Sequence, residues 1–160
     1  MTAQVMIEVP ITDEMILQAR DKSREMGKLN KSILKGGGNL AGFIGEFVAQ
    51  VIMGGRIENT YQYDLVLEDG TKVDVKTKQT GFEPKPEYDC SISSESKIQD
   101  CDKYAFVRVK NDLTTAWFLG SVSKVEFFKK AIHFKRGEID PSNKYTVKAD
   151  CWNLKIKDLD

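Results

Sequence analysis

The chain has 160 residues, 24 lysines and arginines balanced by 24 aspartates and glutamates, and a 41% hydrophobic content, which suits one hydrophobic core and a single domain over 1–160. The zero net charge argues against a protein that coats nucleic acid through bulk electrostatics. His133 is the only histidine, and Cys90, Cys101 and Cys151 lack C-x-x-C spacing, so two-histidine zinc sites, dithiol redox chemistry and Ser-His or Cys-His catalysis are not expected.

Met1-Thr2-Ala3-Gln4 does not open a basic-then-apolar leader, and no apolar run reaches roughly 18 residues, so no signal peptide, no membrane partner and a cytoplasmic location (a host's, if the chain is viral) are expected. Gln4 to Val9 predicts a short strand. Thr12 then caps a helix through Gln18 and Arg24 to about Gly27, giving an N-terminal arm over about 4–35. Lys35-Gly36-Gly37-Gly38 predicts a flexible connection, since consecutive glycines lose too much backbone entropy in a regular element. Asn39 is the expected N-cap of the next helix, at the start of a core over about 38–132.

From Leu40 to Met53 the apolar residues Leu40, Phe43, Ile44, Phe47, Val48 and Val51 recur at helical spacing, and Gly54-Gly55 ends the run. Two β-branched and aromatic stretches, Tyr61–Leu67 and Thr71–Thr77, flank Glu68-Asp69-Gly70 and read as a hairpin. Residues 79–89 carry Gly81, Pro84 and Pro86 and predict a loop. Strands are expected at Tyr104–Lys110 and Thr115–Leu119 around an Asn111-Asp112 turn. Ser121 or Ser123 then starts a helix to about Ile132, and Trp152, Leu154 and Ile156 alternate with polar residues as a C-terminal strand within about 144–157.

The hairpin register decides where the acids point. A two-residue Asp69-Gly70 loop would set Asp64 on the face opposite Asp74. A three-residue Glu68-Asp69-Gly70 loop, with Gly70 left-handed, pairs Leu67 with Thr71 and sets Asp64 directly across from Asp74. The second register is the one expected; it brings Lys76 to the same face and turns Val73 and Val75 into the core. Two carboxylates facing each other at strand-pair distance repel, and a hard cation such as Mg²⁺, which takes oxygen ligands, removes that conflict. Glu46 lies among Gly42, Gly45 and Ala49, small residues that let its helix approach the sheet; its carboxylate reaches either the hairpin or solvent.

Glu46, then Tyr63-Asp64, then Asp74-Val75-Lys76 on the strand after a short hairpin resembles the PD-(D/E)XK nuclease superfamily, over about 39–80. Tyr63 replaces the usual proline and Asp74 the commoner glutamate. The layout looks most like small phage and archaeal Holliday junction resolvases and restriction-type endonucleases. The resemblance implies an α/β fold, a restriction-endonuclease-like mixed sheet flanked by helices with an αβββαβ core. It also implies Mg²⁺ or Mn²⁺ held by Glu46, Asp64 and Asp74, Lys76 assisting the attacking water, DNA as substrate, and a homodimer. Lys35, Lys72, Lys78 and Gln79 are the expected DNA contacts, whereas Gln99 and Tyr104 are not expected at the site. A non-catalytic binding module on the same fold is the alternative. Two basic clusters, Arg20 to Lys35 and Lys124 to Arg136, read as phosphate-facing patches or as solvated faces.

Overall fold

Thr12 ends an extended segment and starts a helix by accepting a hydrogen bond from the Met15 N–H at 3.1 Å, with Asp13 and Glu14 in the first turn favouring the helix dipole. The computed structural model describes residues 6–30, 40–58, 60 and 62–159. Helix α1 spans Asp13–Asn30, running past Gly27, and is preceded by strand β1 (Ile7–Pro10). The Lys35-Gly36-Gly37-Gly38 connection and the Asn39 cap lie outside the described residues.

Helix α2 (Leu40–Met53) has the expected bounds and ends at Gly54 and Gly55, with φ of 79° and 83°. Its burial is carried by Ala41, Phe43, Ile44, Val48 and Ala49; Val51, counted in the apolar stripe, is exposed instead because the small residues define the face toward the sheet. Gly45 is where the approach is closest. A Cβ there would fall 1.9 Å from Thr77 Oγ1, while one at Gly42 would meet nothing within 4 Å. Gly45→Ala is therefore expected to lower stability by about 1–3 kcal/mol through overpacking. Gly42→Ala is expected to raise it by roughly 0.5–1 kcal/mol, a contrast that urea melts of the two variants will check.

Strands β2 (Arg56–Ile57), β3 (Leu65–Val66) and β4 (Lys72–Thr80) follow. The ladder pairs Leu65 with Val73 and Val66 with Lys72, Leu67 N–H donates to the Thr71 carbonyl at 2.9 Å, and Gly70 has φ 90°. This is the three-residue loop and its register. The first arm is much shorter than the expected 61–67, because at Asp64 the regular pairing slips, its N–H bonding to the Val73 already paired with Leu65, and Thr60 holds a local turn through its hydroxyl bonds with Tyr63.

Beyond β4 come β5 (Asp89–Ser93), a 3-10 turn (Ser94–Ile98), β6 (Lys103–Lys110), β7 (Thr115–Ser123), α3 (Lys124–Lys130), β8 (Ile132–Phe134), β9 (Cys151–Lys155) and a second 3-10 turn (Ile156–Asp158). The large sheet has the order β1-β7-β6-β4-β3-β2, with β4 and β6 parallel and its other neighbours antiparallel; β5-β9-β8 form a second sheet. Ser123 is the helix-starting serine, its hydroxyl accepting from Glu126 N–H. No α-helix carries the crossover from β4 to β6, so the αβββαβ order does not appear; β5 and the first 3-10 turn occupy that place.

One face of the large sheet packs Val73, Val75, Ala105, Val107 and Val109 against α1 and α2. The other packs Tyr104, Phe106, Trp117 and Leu119 against Phe127 of α3 and Cys90, Ile92 and Leu154 of the second sheet. The architecture is thus mixed α/β, with helices on one face and mainly a small sheet on the other. The expected C-terminal strand exists as β9, but it completes the second sheet by pairing with β5 at Ser91–Asn153. Trp117 and Phe118 are both core residues, and among the described residues no helix is long and apolar enough to cross a membrane.

Candidate active site

Alternation along β4 places Val73, Val75 and Thr77 toward α2 and Asp74, Lys76 and Lys78 on the opposite face. The paired register ends at Leu65–Val73 and does not set Asp64 directly across from Asp74; the Asp64 N–H donates instead to the Val73 carbonyl at 2.9 Å, and its side chain comes close enough to Asp74 for a hydrogen bond. Asp64 Oδ2 accepts the Val75 N–H at 2.9 Å, which ties its carboxyl to β4 as its own N–H, bonded to the Val73 carbonyl, ties its backbone. Burial pushes the Asp64 carboxyl up to about 8; the charges of Glu46 and then Asp74 push the same way, a hydrogen bond with Asp74 favours the protonated form, and only the Val75 N–H opposes them.

Asp74 is 4% exposed, and its Oδ2 lies 2.8 Å from Lys76 Nζ, a charge contact without hydrogen-bond angles; that oxygen has no hydrogen-bond partner. Glu46 does not reach solvent. It is buried near Asp64, with its Oε1 4.0 Å from Lys22 Nζ, whose ammonium also lies over the Phe43 and Phe47 rings. Glu46, Asp64, Asp74 and Lys76 are therefore brought to one region, at the edge where the short β3 arm ends.

Lys76 is held from the far side. Its Nζ donates to Ser96 Oγ at 3.3 Å and to Gln99 Oε1 at 3.2 Å, and Gln99 is in turn fixed by Lys124, whose ammonium donates to its carbonyl. Gln99, not expected at the site, thus belongs to it. Its signal was faint: position 99 is separated by 23 residues from Lys76, and only the β5 and 3-10 crossover folds it back. Tyr104 pairs with Asp74 in the parallel ladder; its ring is buried among Phe127 and Phe128, and its hydroxyl lies toward Cys101 and Asp74, pushed well above the usual tyrosine range by burial.

The remaining expected contacts divide. Lys72 shares the Asp74 face and lies over the Tyr63 ring at 5.2 Å; Lys78 shares it too and is exposed. Gln79 alternates to the helix-bearing face, away from Lys76, and Lys35 lies outside the described residues. In the basic clusters Lys22 is engaged by Glu46, Arg24 by Asp21 and Lys124 by Gln99. The three cysteines are free; burial pushes the Cys90 thiol up to about 12 and Cys101 to about 11, which makes both poor nucleophiles.

The donor set suits a hard divalent cation: oxygen-only acids, one of which keeps a buried oxygen without a hydrogen bond. Among the described residues no three His, Cys, Asp or Glu side chains close into a cage. Mg²⁺ does not require one, since one or two carboxylates suffice with water and a substrate phosphate. Comparison with known protein families and with curated proteins returns no match for this chain.

Proposed function

We propose that this chain is a Mg²⁺- or Mn²⁺-dependent endonuclease that hydrolyses DNA phosphodiester bonds, with an acid and lysine constellation of PD-(D/E)XK type carried on its mixed α/β sheet. The observation that carries this reading is the meeting of Asp64 and Asp74 beside Lys76: two acids in mutual repulsion with a lysine 2.8 Å away, an arrangement that core packing alone would not favour. Asp64 and Asp74 would hold the ion, with Glu46 as the third acid. When bound, the ion supplies Lewis-acid polarisation of the phosphoryl oxygen and a lowered pKa for the attacking water.

The chain's own residues do the rest. Ser96 and Gln99 take two of the three ammonium hydrogens of Lys76, which leaves the third to face Asp74 or a substrate oxygen. The charge is thereby held where the pentavalent phosphate gathers negative charge, without reorganisation during the reaction. Lys72 and Lys78 extend positive charge along the same strand face for the flanking backbone.

Nicking of supercoiled plasmid in Mg²⁺ or Mn²⁺ tests the reading. Cutting should vanish in EDTA; activity that survives chelation, or the absence of cutting on every DNA form tried, would overturn it. Gln99 acts through Lys76 as a positioning residue, so Gln99→Ala is expected to lower kcat by about tenfold to a hundredfold with little change in KM. Steady-state kinetics separates that split from a general loss of folded enzyme.

A further inference from the structure

The parallel register of β4 and β6 sets Lys78 beside Arg108, on the face that also carries Asp74 and Lys76. Two like charges side by side on neighbouring strands are unfavourable without an anion between them. Arg108 makes the imbalance sharper, because it is only 8% exposed. Its guanidinium donates to the Asp89 carbonyl at 3.0 Å and lies over the Tyr88 ring, yet among the described residues no carboxylate stands within ion-pair distance of it. The nearby Asp89 carboxylate is engaged by Lys155 at 3.5 Å. A buried guanidinium is costly unless a negative partner completes it, and burial together with Arg108 also lowers the affinity of the Lys78 amine for its proton.

The two cations stand between two cavities. A smaller one of about 300 Å³ runs from Lys76 to Lys78 and Arg108. A larger one of about 940 Å³ shares Lys78 and Arg108 and continues to Tyr145, Asn143 and Asn153. A phosphate alone is far too small for this space, whose size is that of a pocket for a whole small molecule. Its lining is mixed: Lys78 and Arg108 lie where the two cavities join, beside Asp89, while Asn143, Asn153 and a half-exposed Tyr145 line the larger one together with Lys148 and Lys155. Amides read the hydrogen-bonding edge of a base and aromatic rings stack on its face. Same-face residues on a strand are roughly 6.6 Å apart, so the step from Lys76 to Lys78 is of the order of one backbone step of a nucleic-acid strand.

We propose that this cavity receives an unpaired nucleotide of the substrate strand, its phosphate at Lys78 and Arg108 and its base toward Asn143, Asn153 and Tyr145, next to the phosphate held at Lys76. The inference rests on the nuclease reading and deepens it: the substrate class is DNA with a bulged, mismatched or single-stranded nucleotide beside the cut, because a stacked and paired base cannot enter a pocket.

The test uses a duplex with one unpaired 2-aminopurine and its fully paired counterpart, titrated with the full chain in EDTA and then cut in Mg²⁺. The wild type should change the 2-aminopurine fluorescence and should cut the bulged duplex at least about tenfold faster in kcat/KM than the paired one. Lys78→Met and Tyr145→Ala, at exposed positions that spare the fold, should remove the fluorescence change and bring the two substrates to parity; Arg108→Met should do the same if it folds. Equal cutting of both duplexes by the wild type, with no fluorescence change, overturns the pocket and leaves the nuclease reading intact. A fluorescence change lost in both variants, with no cutting of any DNA, supports the nucleotide site and overturns the nuclease reading.

Discussion

Asp74→Ala is expected to reduce DNA cleavage by at least about 10³-fold in kcat, on the order of 4 kcal/mol of transition-state stabilisation. Lys76→Ala should cost about 10²–10³-fold, the usual effect of removing one preorganised charge from a developing oxyanion. Both substitutions act at one place, since Asp74 and Lys76 are 2.8 Å apart, so the double variant should be little worse than the more damaging single one. Folding is the control. Asp74→Asn keeps the shape of a side chain that is 4% exposed and relieves the repulsion on Asp64, so the metal-free variant should melt no lower than wild type while remaining inactive. Single-turnover cleavage with thermal melts on the same samples measures both effects. Cutting retained within about tenfold in Asp74→Ala would exclude Asp74 from the chemistry and with it the proposed site.

The parts of this arrangement that were legible in the sequence are those that local chemistry specifies. Gly70 allowed one loop geometry, alternation from Val73 to Lys76 then assigned the faces, and the glycine at position 45 signalled the close approach of α2. Elements set by distant pairing were harder to read. β5 forms because Ser91 meets Asn153 and Ile92 meets Trp152, partners about sixty residues away, and residues 79–89 drew attention as a loop because of their prolines. A signal was nonetheless present: Tyr88, Cys90 and Ile92 alternate with Asp89, Ser91 and Ser93, the period of a half-buried strand. Missing β5 also hid Gln99 and Arg108, because both acquire their partners only when that crossover lies against β4 and β6. The hairpin's first arm was overestimated for a related reason. Tyr63 and Asp64 have strand-like neighbours, but Thr60 supplies a local turn that competes with the ladder.

Loss of stability with rising pH is the second large effect, and it belongs to the protein without metal. The Asp64 carboxyl titrates near 3.8 when unfolded and at about 8 when folded, chiefly because of burial, then the charges of Glu46 and Asp74. Between those two values the folded state holds a proton that the unfolded chain releases, so unfolding becomes easier as pH rises from about 4 to 8 and the dependence levels off above. The change should amount to a few kcal/mol at most across that window. A divalent cation that binds the ionised pair replaces the proton, so millimolar Mg²⁺ should raise the melting temperature strongly at pH 8 and weakly at pH 5. Asp64→Asn should be more stable than wild type at pH 8 in EDTA, should lose the slope, and should no longer respond to Mg²⁺. Melting curves from pH 5 to 9, with and without EDTA, decide the point: a slope that persists unchanged in Asp64→Asn would show that another group carries it. On the proposed reading the site is a trade, in which the burial of Asp64 and its repulsion by Glu46 and Asp74 weaken the metal-free fold in favour of a form that takes a cation.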